Sequence, residues 1–194
     1  MKEYNFFAYI SRMKNINRWA LMRNTTNENI QEHSYEVAVI AHALCLIANK
    51  KFDGNYNPER AAMYALFHDT NEIITGDLPT PVKYYNPEIK KAYGMLEDIS
   101  KEKLISMLPG YMKDEYRELF FYEENDPDYY PIIKAADKIS AYIKCIEEGK
   151  AGNSEFKKAE AATKSAVRDM KVPAADYFID RFIPAYTLTL DELD

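Results

Sequence analysis

An all-α fold is what three features of this 194-residue chain predict. Apolar residues recur at three- and four-residue spacing along most of its length. The pairs Asn57-Pro58 and Asn86-Pro87 put a capping side chain before a proline at the first helical position. No alternating strand pattern runs longer than a few residues, and the 9 prolines fall where helices start or stop.

Residues 4–14 place Tyr4, Phe7, Ile10 and Met13 at helical spacing, and the polar stretch 15–28 interrupts the pattern. Asn29, followed three residues later by Glu32, reads as a capping box. The stripe Val37, Ile40, Ala41, Leu44 and Ile47 follows it, and a loop holding Gly54 separates this helix from the next. The helix that opens at Pro58 runs toward His68, and a short helical piece over 69–75 stops at Gly76. Residues 77–81 hold two prolines, which excludes helix interior and predicts an extended or turning path. Further helices are expected from Pro87 through Leu104, over 113–123, from Pro131 to Glu148, over 153–171, and from Pro173 to before Pro184. The charged run Glu123-Glu124-Asn125-Asp126 reads as a solvated loop. No repeat or low-complexity tract divides the chain, so one domain over 1–194 is expected.

Composition narrows the function classes. There are 25 Lys and Arg against 31 Asp and Glu, a net charge of −6, and the pI is near 5.2. That balance argues against a nucleic-acid binder, which carries a basic face. An acidic protein that handles an anion has to gather positive charge locally, from a metal or a few Arg and Lys. No stretch approaches the ~20 apolar residues of a membrane span. The N-terminus MKEYNFFAYI shows no secretory pattern, so a cytoplasmic protein is expected. Cys45 and Cys145 sit in apolar helical patterns and read as reduced core thiols.

Chemistry concentrates in few residues. His68 and Asp69 are adjacent at the end of an otherwise apolar helix, His33 lies early in the preceding long helix, and Asp137 sits mid-helix among Ile133, Ala136 and Ala141. A buried carboxylate needs a partner or an ion. Two imidazoles and two carboxylates suit a borderline divalent cation such as Co²⁺, Mn²⁺, Fe²⁺ or Zn²⁺. The bland reading stands beside this one: a His–Asp pair arises often by chance, and a mid-helix Asp is commonly half of a salt bridge. His42 is nine residues beyond His33, about two and a half turns, which puts it on roughly the opposite face and gives it a structural role. Arg18 by itself reads as a surface arginine stacked on Trp19, and Glu72 as a solvated helix residue.

The segments INRWALMRN, EHSYEVAVIAHALC, FHDTNEIITGDLPTPVKYYN and KAADKISAYIKCIEE carry a closer likeness. With His33, His68-Asp69 and Asp137 on separate helices, the chain resembles the HD-domain phosphohydrolases, and in particular the bacterial 5′-deoxynucleotidases of the YfbR type. The likeness runs over essentially the whole chain. It implies one divalent cation held by His33, His68, Asp69 and Asp137. It also implies Arg18 gripping the substrate phosphate, Trp19 packing beside the sugar, and Glu72 orienting or deprotonating the attacking water. Asp77, Leu78, Pro79 and Thr80 would line the sugar pocket, with Asp77 near the leaving oxygen, and His33 and Asp69 would also touch substrate. The implied reaction is hydrolysis of deoxyribonucleoside 5′-monophosphates by a homodimer. Helical spacing is compatible with this: Glu72 follows His68 by four residues and Asp69 by three, so the three share a face. Two other readings stay open: an HD hydrolase of triphosphates or alarmones, and a non-catalytic metal-dependent nucleotide sensor.

Overall fold

In the computed structural model, which describes residues 3–83 and 85–193, the apolar spacing over 4–14 resolves into two pieces. A short helix α1 (Phe6–Ile10) passes into a 3-10 turn (Ser11–Asn15), and the Ser11 hydroxyl donates to the Ala8 carbonyl at 2.9 Å where they join. Residues 16–29 are irregular, as expected, and fold back so that Asn17 and Asn29 form an isolated antiparallel bridge. The capping box forms: Asn29 Oδ1 accepts from the Gln31 and Glu32 amides, and Glu32 reaches back to the Asn29 amide. It opens α2 (Ile30–Lys51).

Asn57 caps α3 (Pro58–Phe67) by accepting the Arg60 amide. The turn through His68 and Asp69 leads into α4 (Glu72–Thr75), which ends at Gly76 with φ +72°, a conformation that glycine adopts without Cβ strain. Residues 77–79 are non-helical, but α5 (Thr80–Lys83) is a helical turn containing Pro81. The expectation of a path barred from helix through 81 therefore fails at its last two residues. Proline in a first turn gives up only an amide that lacks a partner there anyway.

Asn86 caps α6 (Pro87–Ser106), and α7 (Lys113–Phe120) follows a 3-10 turn. The charged run 123–126 is not a loop either: α8 (Tyr122–Asn125) is helical, and the Asp126 amide bonds the Tyr122 carbonyl. Asp126 is anchored from outside the segment, with its carboxylate 3.1 Å from Arg60 Nε and accepting the Tyr64 hydroxyl at 3.2 Å. The chain closes with α9 (Tyr130–Lys150), α10 (Lys157–Asp169), α11 (Pro173–Arg181) and short 3-10 turns. Tyr84 and the two ends of the 1–194 span lie outside the described residues.

Helix α2 is the spine. It packs on α3, α9 and α11, and α10 lies against α9. Val37, Ala41, Leu44 and Cys45 from α2 meet Ala61, Tyr64 and Ala65 from α3 and Ile133, Ala136, Ile139 and Ile143 from α9, all buried. A second cluster gathers Phe6, Leu104, Ile105, Leu108 and Phe120, with the Phe6 and Tyr116 rings 4.8 Å apart edge to face. Cys45 and Cys145 are buried free thiols, and burial pushes them up to about 12 and about 11. No described helix is long and apolar enough to cross a membrane.

Candidate active site

The packing of α2, α3 and α9 brings His33, His68 and Asp69 together and sets Asp137 against His33. The capping box fixes where α2 begins, so His33 falls on the inward stripe with Val37 and is fully buried. His68 caps the C-terminal end of α3, and its Nδ1 lies 2.7 Å from the Ala65 carbonyl. A carbonyl only accepts, so Nδ1 carries the proton and Nε2 presents a lone pair. His68 Nε2 is 3.1 Å from Asp69 Oδ2, and His33 Nε2 is 3.5 Å from the same oxygen and 3.2 Å from Asp137 Oδ1. One ligand atom from each of His33, His68 and Asp69 lies within 4.8 Å of the others. Asp137 joins the group through His33, while its second oxygen accepts from Lys134 Nζ at 2.6 Å.

Both Nε2 atoms are buried and lack a hydrogen-bond partner among the described residues. An orphaned buried acceptor costs about 1–3 kcal/mol, and here two of them converge on two carboxylate oxygens. That donor set fits a divalent cation with nitrogen and oxygen ligands. The two imidazoles titrate in opposite directions. Burial, then the Arg18 charge, lowers His33. Burial opposes protonation of His68 too, but Asp69 raises it on balance. Asp69 is held low despite its burial by His68 and His33, and Asp137 by Lys134 and His33.

Beside the cluster, the polar stretch before α2 delivers Arg18 and Trp19. The Arg18 amide donates to the Glu28 carbonyl at 2.9 Å and the Ile30 amide to the Ile16 carbonyl at 3.0 Å, which locks the segment against the start of α2. Arg18 is no surface residue: its side chain is 13% exposed, and Nη1 lies 2.8 Å from Glu28 Oε2 and 2.8 Å from His33 Nδ1. The charges of Glu28, Asp137, Asp69 and Asp77 together outweigh its burial and raise its pKa. Trp19 has φ +58°, an uncommon left-handed conformation for a bulky residue. Three contacts hold it there. Its indole N–H donates to Glu28 Oε2 at 2.9 Å, its amide lies toward the Asp77 carboxylate and favours its charge, and its ring lies 5.4 Å from that of Phe156.

Glu72 is not a solvated helix residue. It is 8% exposed, and its Oε2 is buried without a partner among the described residues. Burial, with Asp69 and Asp77 adding repulsion, pushes it up to about 10. Burial also raises Asp77, against the pull of Arg18. The positive φ at Gly76 turns the chain so that Asp77 meets Trp19. Leu78 and Pro79 follow half-buried, and Thr80 is exposed at the start of α5. His42 is half-buried and outside the cluster.

Sequence reasoning missed Glu28, Ser140, Glu36 and Lys134. Helical spacing could have flagged three of them: Lys134 and Ser140 flank Asp137 by three residues, and Glu36 follows His33 by three. Glu28 carries no such signal, because its two partners lie across the bridge between Asn17 and Asn29.

A helical chain that brings His33, His68 and Asp69 within a metal ion's reach of one another, with Asp137 beside His33, has the arrangement of an HD-type phosphohydrolase. More narrowly, the chain belongs to the 5′-deoxynucleotidase YfbR-like family, whose model matches residues 5–186. It is 48% identical over 193 residues to a 5′-deoxynucleotidase of Vibrio vulnificus, covering 100% of both chains. It is 46% identical over 190 residues to that of Shewanella oneidensis, covering 98% of this chain and 97% of the other. Among solved structures, an HD-domain phosphohydrolase from Listeria innocua shares the fold with a TM-score of 0.81 at 23% identity, covering 94% of this chain and 88% of that one. The cyanophage S-2L HD phosphohydrolase DatZ, bound to dA and one catalytic Zn²⁺, matches with a TM-score of 0.68 at 22% identity over 94% and 96% of the two chains.

Proposed function

We propose that this chain hydrolyses deoxyribonucleoside 5′-monophosphates to deoxynucleoside and inorganic phosphate. One divalent cation would be held by His33, His68, Asp69 and Asp137. The observation that carries the proposal is the pair of orphaned Nε2 atoms beside a buried arginine and an unpartnered glutamate. When bound, the cation polarises the phosphoryl oxygens, makes water more acidic and draws Glu72 toward its ionised form.

The chain's own groups do the rest. Arg18 offers a planar fork of donors to the phosphate and offsets charge growing on it. Ionised Glu72 takes a proton from the attacking water. The water oxygen bonds to phosphorus in line as the P–O5′ bond breaks. Asp77, raised by burial, returns a proton to O5′ of the leaving deoxynucleoside. Trp19 packs beside the sugar where a 2′-hydroxyl would intrude, and Leu78, Pro79 and Thr80 complete that wall. The donor set suits Zn²⁺, Co²⁺, Mn²⁺ or Fe²⁺, and the dA-bound relative with catalytic Zn²⁺ supports the first.

A triphosphate or alarmone substrate needs cations beyond Arg18 for its further phosphates. Among the described residues, Lys134 is paired to Asp137 and Lys83 to Glu97. A sensor without turnover has no use for the buried, unpartnered Glu72. We also propose that residues 1–194 act as one domain and that two copies associate, with the exposed Tyr35, Val39 and Leu46 of α2 as contact. Light scattering on a sizing column tests the dimer. A substrate panel with Glu72→Ala tests the activity. Monophosphates should turn over and triphosphates should not, and the variant should keep its metal and lose turnover. A Glu72→Ala protein hydrolysing dAMP at the wild-type rate would refute the role given to Glu72.

A further inference from the structure

We infer that Ser140 and Glu36 are positioning residues for the metal centre, fixing the tautomer of His33 through a one-way hydrogen-bond relay. The inference rests on the reading of His33 as a ligand through Nε2. A neutral imidazole has one N–H and one lone pair. Nε2 can ligate only if the proton sits on Nδ1, and something must hold it there.

Two groups lie within reach of Nδ1: Arg18 Nη1 at 2.8 Å and Ser140 Oγ at 3.0 Å. They make opposite demands. A guanidinium only donates, so pairing with Arg18 would make Nδ1 an acceptor and put the proton on Nε2, facing the ligand cluster. A hydroxyl can accept, provided its own hydrogen is used elsewhere. It is: Ser140 Oγ donates to Glu36 Oε2 at 2.5 Å. The relay therefore runs from His33 Nδ1–H to Ser140 to the Glu36 carboxylate, and Nε2 keeps its lone pair. Nη1 carries two hydrogens: Glu28 Oε2 accepts one at 2.8 Å, and the other faces Nδ1, so it is the donor that the Ser140 relay has to displace.

The placement supports this direction. His33 and Ser140 are fully buried, so no water competes for Nδ1. His33 Nε2 lies 3.2 Å from Asp137 Oδ1 and 3.5 Å from Asp69 Oδ2, so it is the ring nitrogen that faces the ligand cluster. Ser140 stands one turn beyond Asp137 on α9, and Glu36 one turn beyond His33 on α2, so the relay ties together the two helices that carry those ligands. Outer partners of this kind hold ligating imidazoles in register, and their loss typically weakens metal affinity about 10–100-fold.

The test uses metal-stripped full-length protein, titrated calorimetrically with Zn²⁺, plus ¹⁵N imidazole spectra that report the His33 tautomer without any turnover. Ser140→Ala and Ser140→Cys should each weaken Zn²⁺ binding about 10–100-fold and shift His33 toward the Nε2–H form. Ser140→Thr, which keeps the hydroxyl, should bind within about threefold of wild type, read against that same range. Thermal melts of all three check folding. Unchanged affinity and tautomer in Ser140→Ala, or equal loss in Ser140→Thr, overturns the relay. Absence of Zn²⁺ binding by the wild-type protein would instead remove the ligand assignment beneath it.

Discussion

Burial raises Glu36 to about 7, with Ser140 opposing and Glu28 and Glu147 adding to the rise. In the unfolded chain the same group titrates near the ordinary glutamate value. Between those two points the folded protein binds the proton more tightly, so this group lowers stability as pH climbs through that window and the effect levels off above about 7. Glu36→Gln cannot ionise but can still accept from Ser140. Its melting temperature, measured without metal, should gain on wild type from pH 5 to pH 8, by at most about 3 kcal/mol or several degrees. A difference that is flat with pH would contradict the burial argument. At the cluster itself, Asp137→Ala should abolish both metal content, read by mass spectrometry, and activity. Arg18→Lys should keep the metal and raise KM, because an ammonium lacks the fork. His33, His68, Asp69 and Asp137 were legible as residue types in a familiar order. The unpartnered Glu72 was not, because burial is a property of packing.

The segment 17–28, which carries Arg18 and Trp19, is pinned from a distance. Glu148 on α9, 1% exposed, accepts the Thr25 amide at 2.9 Å, the Thr25 hydroxyl at 2.6 Å, the Thr26 amide at 3.2 Å and Asn153 Nδ2 at 2.7 Å. Lys144, also buried, bridges Glu148 and the Thr26 carbonyl. Those bonds hold the Glu148 carboxyl well below its ordinary value despite burial. The stability it contributes is therefore present above the ordinary glutamate value and lost as pH falls below it. Glu148→Ala should cost about 3–5 kcal/mol in a denaturant melt, because it strands a buried Lys144 charge. Hydrogen exchange should rise over 17–28 with it. A loss confined to α9 would contradict the anchoring role. Helix starts were legible because caps such as Asn29, Asn57 and Asn86 act within three residues. The helical turn over 122–125 was not, since its end is held by Arg60 and Tyr64, more than fifty residues away in sequence.

Across the whole molecule, α2 serves both the core and the site. The stripe through Val37, Ala41 and Leu44 that buries the helix also buries His33, so one periodicity places both the core and this candidate ligand, while its role came with the family likeness. Leu44→Ala should cost about 2–5 kcal/mol through the cavity it leaves. What the sequence could not carry was the pairing between distant elements: Glu28 with Arg18 and Trp19, Ser140 with His33, Glu148 with Thr25. Metal-dependent release of phosphate from a deoxyribonucleoside monophosphate is the decisive measurement. Metal-stripped protein should be inactive on dAMP, regain turnover when Co²⁺, Mn²⁺ or Zn²⁺ is restored, and act far more slowly on AMP. Phosphate release from dAMP that persists in the stripped protein, or none from any deoxynucleotide with metal restored, would contradict it.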